Sequence, residues 1–86
     1  MNKKKSIFIT GAAGGMGSST ARLFKKNGWF VGCYDINKSS LDELKSELGN
    51  EDIVYEQLDV TKKSQFEECL SNFSKNTNDT LDILFN

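Results

Sequence analysis

Three times in succession along this chain, a short β-branched and aromatic run gives way to a segment with apolar residues at helical spacing. Ser6-Ile7-Phe8-Ile9-Thr10 is the first run. The spacing of Met16, Thr20, Leu23 and Phe24 then predicts a helix over 15–27 that stops at Gly28, a good residue for leaving a helix. A second strand follows over 29–34, Trp29 to Tyr34. Ser40 and Glu43 have the spacing of a capping box for a helix with Leu41, Leu44 and Leu48 on one face, ending near Gly49. Residues 53–58 read as a third strand. Thr61 is placed to cap a third helix with Phe66, Cys69, Leu70 and Phe73 at i, i+3, i+4 and i+7. A polar loop over 74–80 leads to a fourth apolar run over 81–86.

Strands alternating with helices of this length imply an α/β fold, with right-handed crossovers and a parallel sheet, in the order β-α-β-α-β-α-β. If strands one to three step in one direction, the first two helices lie on one face. The third crossover returns past the first strand, putting its helix on the opposite face and giving the strand order 3-2-1-4. A crevice forms where the direction reverses, at the carboxyl ends of strands one and four. The glycine-rich segment 11–17 is the loop that leaves strand one.

Composition narrows what such a crevice can do. Eleven basic against 12 acidic side chains, net −1, lack the basic excess of a nucleic-acid module. Lys3-Lys4-Lys5 is the only basic run and reads as a solvated start to strand one. The apolar stretch after it breaks at Thr10-Gly11, too soon for a signal peptide, and no stretch approaches a membrane span, so a cytoplasmic protein is the default expectation. Cys33 and Cys69 lie 36 apart without metal-ligand spacing and read as buried free thiols; no metal site is expected. With no histidine, neither a Ser-His-Asp nor a Cys-His arrangement can be built from this chain.

The loop's residues fit an anion. Gly11 permits a sharp turn off the strand, Gly15 lets backbone approach a phosphate, and Gly17 lets the next helix pack closely on the sheet; the helix's free N–H groups and positive end face the site. Ser18, in the opening turn, could donate to a phosphate or simply start the helix. Arg22, Lys25 and Lys26 lie too far along the helix to hold a pyrophosphate and read as facing water. Asp35 closes strand two, 18 residues beyond Gly17. A carboxylate there can accept from both hydroxyls of an adenine-linked ribose and repels a 2′-phosphate, selecting NAD over NADP. Ile36 stands where an arginine could have held that phosphate, and Gly14 offers no basic side chain; Lys38 keeps NADP as the minority alternative.

These residues resemble the short-chain dehydrogenase/reductase family over the whole chain. Thr10-Gly11-Ala12-Ala13-Gly14-Gly15-Met16-Gly17 is similar to its Thr-Gly-x-x-x-Gly-x-Gly motif, Asp35 to its NAD-selecting acid, and Asp59-Val60 to the pair that contacts adenine. Leu81 to Asn86 looks like the strand leading into the family's Asn-Asn-Ala-Gly segment. The resemblance implies a Rossmann-type three-layer fold and a cofactor site comprising Gly11, Gly14, Gly15, Met16, Gly17, Asp35, Ile36, Asp59, Val60 and Asn86. Gly11, Gly14 and Gly17 also fit the Thr-Gly-x-x-Gly-x-x-Gly spacing of the longer, sugar-nucleotide-modifying branch. The Gly15-Met16-Gly17 triplet, Asp59-Val60-Thr61 and Asn86 favour the shorter branch.

By that resemblance the expected activity is hydride transfer between a nicotinamide and a small alcohol or carbonyl substrate. A non-catalytic dinucleotide-binding fragment or remnant is the alternative, and a methyltransferase or flavin protein on the same sheet is disfavoured. The family's catalytic Ser and Tyr-x-x-x-Lys have no counterparts up to Asn86, so no catalytic residue is assigned and an incomplete, inactive, aggregation-prone unit is expected. A homo-oligomer is expected only of a complete protein. Tyr34 and Lys38 mimic the Tyr-x-x-x-Lys spacing, but from a strand end and the loop after it, which does not bring the side chains together.

Overall fold

The computed structural model describes residues 4–78 and 80–86, so Lys3 of the basic run and Asp79 of the polar loop lie outside the described residues. Its elements are β1 (Ser6–Thr10), α1 (Gly15–Lys26), β2 (Phe30–Asp35), α2 (Lys38–Leu48), β3 (Ile53–Gln57), α3 (Lys63–Asn76) and β4 (Ile83–Phe85). The four strands form one parallel sheet in the order β3-β2-β1-β4. The strand order is the one expected from the crossovers, and the Rossmann-like arrangement is the one the family resemblance implied.

Strand alternation divides the core in two. Ile7, Ile9, Val31, Cys33 and Ile53 point to one face and pack with Ala21 of α1 and Leu41 and Leu44 of α2. Phe8, Tyr34 and Leu58 point to the other, where Cys69 and Phe73 of α3 cover them. The Phe8 and Tyr34 rings stack with centroids 4.0 Å apart, and Phe73 meets Phe8 edge-on at 5.4 Å. Room for Phe73 comes from Gly32: a Cβ there would stand 2.8 Å from two Phe73 ring carbons. Both cysteines are buried free thiols.

The end of α1 shows local sequence and packing in agreement. Gly28, at φ +82°, sends its N–H to the Lys25 carbonyl, while the Trp29 N–H reaches back to Phe24. The Phe24 and Trp29 rings meet edge-on at 4.8 Å, sealing this Schellman ending with an apolar contact. Lys5 lies over the Trp29 ring and Lys4 pairs with Asp52 at 3.3 Å, which secures the start of β1.

Several local expectations are corrected. Ser40 is not the cap of α2; Asn37 is, and its Oδ1 accepts the Ser40 N–H at 3.0 Å. Asn caps as well as Ser, and the Asn37 N–H is itself held by Asp35 at 2.9 Å, so the helix begins nearer the strand. Thr61 does not cap α3 either. Its hydroxyl donates to Asp59 Oδ1 at 2.6 Å, and the helix starts after Lys62 without a side-chain cap. That helix runs on through Asn76, three residues past its last core residue, because its solvent side accepts polar residues. Strand two begins at Phe30 rather than Trp29, strand three stops at Gln57, and strand four is only Ile83–Phe85. Ahead of β4, Asp82 Oδ2 accepts the Ser6 N–H at 2.8 Å and Ser6 O accepts the Asp82 N–H, fixing the edge strand's register.

The apolar stripe of α1 is only partly the one its spacing suggested, with Phe24 packing against the core. Met16 is 78% exposed and Leu23 56%, while the small residues Gly17, Ser18 and Ala21 are the buried ones. A Cβ on Gly17 would come 2.8 Å from the Ala12 Cα and clash with the Gly11 carbonyl. The helix approaches too closely for large side chains to lie beneath its first turns.

Candidate nucleotide-binding site

The site is built at the carboxyl ends of the strands. β1 ends at Thr10, and Gly11, at φ +67°, turns the chain sharply off the sheet. Three backbone hydrogen bonds shape the turn: Ala12 N–H to Tyr34 O at 3.0 Å, Gly14 N–H to Gly11 O at 3.1 Å, and Ser18 N–H to Gly14 O at 2.8 Å. A fourth joins backbone to side chain, with the Ala13 N–H donating to Asp35 Oδ2 at 3.0 Å. Gly14 then begins α1 with no side-chain cap, and no acid lies in the first turn. The positive end of the helix dipole and the first-turn N–H groups are therefore not neutralised by a side chain. A Cβ on Gly15 would meet nothing within 4 Å, so the fold itself does not demand glycine there.

Two clefts meet at Gly11. One, of about 270 Å³, is lined by Thr10, Gly11, Gly14, Gly15, Met16, Gly17, Phe85 and Asn86. The other, of about 300 Å³, is lined by Gly11, Asp35, Ile36, Leu58, Asp59, Val60 and Thr61. The first lies between the ends of β1 and β4, where the chain reverses direction across the sheet; the second lies over the ends of β2 and β3. All ten candidate cofactor residues fall on these walls, six in the first cleft and four more in the second.

Each wall has its own chemistry. In the second cleft, Asp35 is half-buried, and its two oxygens each accept one backbone N–H, from Ala13 and from Asn37. An ionised carboxylate has lone pairs to spare beyond these. Ile36 and Val60 are 61% and 58% exposed, large apolar surfaces turned outward on the same cleft. Asp59 Oδ1 accepts from both the hydroxyl and the N–H of Thr61, which hold its carboxyl below the ordinary range. In the first cleft, the Thr10 hydroxyl donates to Asn86 Oδ1 at 2.9 Å, tying the end of β1 to the residue after β4.

Thr10, Phe85, Leu58 and Thr61 also line the clefts and were not among the candidates. Thr10 opened the glycine motif and Thr61 followed Asp59-Val60, so adjacency was the available signal; Phe85 and Leu58 read only as strand core. Ser18 is buried and donates to Gly15 O at 3.2 Å, lining neither cleft. Tyr34 is buried in the core, where desolvation raises its phenol pKa, while Lys38 is exposed and paired with Asp42 at 3.4 Å. Their spacing makes no pair. Among the described residues no helix is long and apolar enough to cross a membrane.

The sequence profile of short chain dehydrogenases matches residues 5–86. Dehydrogenase/reductase SDR family member 6 of Rattus norvegicus is 39% identical over 82 residues, covering 95% of this chain and 30% of its own length. NADP-dependent 3-hydroxy acid dehydrogenase YdfG of Salmonella typhimurium is 35% identical over 80 residues, covering 93% of this chain and 32% of its own. Among solved structures, 3-ketoacyl-(acyl-carrier-protein) reductase of Brucella melitensis complexed with NADH superposes with a TM-score of 0.86 at 26% identity, covering 95% of this chain and 33% of that one. An alcohol dehydrogenase of Thermococcus sibiricus complexed with 5-hydroxy-NADP gives 0.82 at 26% identity, covering 95% of this chain and 36% of that one. The chain thus spans about a third of the length of these relatives. A glycine turn between β1 and an uncapped helix, an acid closing β2, and a family profile spanning nearly every residue agree: the chain belongs to the short chain dehydrogenase family.

Proposed function

We propose that this chain is the NAD-binding part of an oxidoreductase that moves hydride between a nicotinamide and an alcohol or carbonyl substrate. The reading rests on the half-buried Asp35 carboxylate beside an apolar slot. Its oxygens can accept from the two hydroxyls of an adenosine ribose while retaining the Ala13 and Asn37 N–H groups. Ile36 and Val60 offer apolar contact to an adenine ring, with Asp59 at the rim. The pyrophosphate would lie against Gly14, Gly15, Met16 and Gly17, where the open space at Gly15 admits it and the helix end favours its charge. Asn86 and Phe85 then border the nicotinamide end.

Once bound, the nicotinamide supplies the hydride acceptor or donor. This chain's own residues bind and orient it, and none is assigned a catalytic role. NAD is favoured over NADP because a 2′-phosphate would bring its negative charge against Asp35. The relatives complexed with NADH and with 5-hydroxy-NADP support a nicotinamide dinucleotide in general.

Calorimetric titration of the 86-residue chain with NAD, NADP and S-adenosylmethionine tests the reading. NAD should bind tightest, and S-adenosylmethionine should show no saturable binding. Tighter binding of S-adenosylmethionine, or no binding of either dinucleotide at millimolar concentration, would overturn it.

A further inference from the structure

A third cavity, of about 190 Å³, lies between α1 and α2 and is lined by Ala13, Ser18, Arg22, Ser40, Glu43 and Glu47. Its position follows from the helices: Ala13 and Ser40 stand at their amino-terminal ends, and Arg22 and Glu47 lie further along. Ala13 connects it to the dinucleotide clefts, because the Ala13 N–H is bonded to the Asp35 carboxylate. The cavity therefore flanks the place where the 2′ position of an adenosine ribose would lie.

Its polar groups are of two kinds. Arg22 and Ser40 are donors that suit a phosphate, since a guanidinium fork matches phosphate oxygens in two-point contact, while the Ser18 hydroxyl is spent on the Gly15 carbonyl. Glu47 occupies that fork: Arg22 Nε donates to Oε2 at 2.6 Å and Nη2 to Oε1 at 3.0 Å, while Nη1 lies 3.4 Å from Ser18 Oγ. Glu43, one turn earlier on α2, adds a second negative charge. The pairing raises the Arg22 pKa and lowers that of Glu47, so both stay charged across neutral pH.

We infer that Glu47 is a specificity-determining residue of the dinucleotide site: its two-point hold on Arg22 denies the 2′-phosphate of NADP the cation that lines this cavity. The inference rests on the dinucleotide reading and adds to it a second barrier to NADP, remote from Asp35. Glu47 touches no cofactor in this arrangement and acts through Arg22. With Glu47 removed, the guanidinium fork and the Ser40 hydroxyl are left to accept an anion, with Glu43 the remaining acid on the wall.

The experiment is titration of the unmodified chain, E47Q, and R22Q/E47Q with 2′-AMP, 5′-AMP, NAD and NADP. In E47Q the affinity for 2′-AMP relative to 5′-AMP, and for NADP relative to NAD, should rise about fivefold, the scale of an exposed ion pair. The gain should vanish in R22Q/E47Q. Unchanged ratios in E47Q overturn the inference. So does a gain that survives loss of Arg22, because it would come from deleted negative charge alone. If the unmodified chain binds neither NAD nor 5′-AMP, the dinucleotide reading itself falls, and this inference with it; NAD binding with unchanged ratios removes the inference only.

Discussion

The Asp35 carboxylate accepts the Ala13 N–H at 3.0 Å, tying the end of β2 to the glycine turn that leaves β1. Its other oxygen accepts the Asn37 N–H at 2.9 Å, and Asn37 in turn caps α2. One carboxylate thus sets the turn and the start of the next helix before any ligand arrives.

Replacing Asp35 with Ala should therefore have two separable effects. Loss of both acceptors costs about 1–3 kcal/mol of stability, seen as a lower urea midpoint. NAD affinity should fall about tenfold or more, with a smaller loss for NADP, because the acceptor of the ribose hydroxyls and the charge that repels a 2′-phosphate disappear together. A D35A variant that binds NAD like the unmodified chain removes Asp35 from the site.

Gly15 and Gly17 should behave oppositely when each is changed to Ala. At Gly15 nothing lies within 4 Å of a new Cβ, so G15A should be neutral or stabilising by about 0.4–1 kcal/mol while obstructing a phosphate and weakening NAD binding. At Gly17 the Cβ would meet backbone, 2.8 Å from the Ala12 Cα. G17A should destabilise by about 3 kcal/mol, at the upper end of overpacking. Thermal melts with and without NAD measure both; a G17A chain as stable as the original refutes the close-packing account.

In β2, a Cβ at Gly32 would lie 2.6 Å from the Tyr34 ring and 2.8 Å from that of Phe73. Those are side-chain atoms with some freedom, so G32A should cost about 1–3 kcal/mol, chiefly by pushing α3 off the sheet. Urea unfolding followed by aromatic near-ultraviolet dichroism should show a lowered midpoint and a weakened Phe8–Tyr34–Phe73 signal.

Alkaline pH should weaken the fold. Burial pushes the Cys33 thiol from 9.0 up to about 12, and desolvation raises the Tyr34 phenol too. Between these limits the folded chain keeps protons that the unfolded chain has released, so stability is full below about pH 9 and falls as pH rises. The slope is about 1.4 kcal/mol per pH unit for Cys33 alone. Urea midpoints at pH 7.5 and 10.5 should show the drop, and C33A should reduce it. A midpoint constant over that range contradicts the account.

The architecture was legible because its signals are local and repeated. Three strand-to-helix alternations imply a parallel sheet with right-handed crossovers, and the doubly-wound pattern, in which the third crossover returns past strand one, adds the order β3-β2-β1-β4 with α1 and α2 opposite α3. Gly28 predicted the end of α1 for the same reason, since a left-handed exit depends on one residue. Ser40 and Asn37 both suit the cap of α2, and Asn37 takes it because Asp35, two residues earlier, holds its N–H, a local turn that residue type alone does not distinguish.

By itself, then, the sequence determined the order of elements, the sharp turn at Gly11 and the acid at the end of β2, since each depends on backbone freedom, periodicity or position within a few residues. Only the tertiary structure decided which side chains of α1 face the sheet, that Gly32 makes room for Phe73, and that Arg22 is held by Glu47 beside a cavity at Ala13. These depend on how closely one element approaches another, a distance set by residues far apart in the chain.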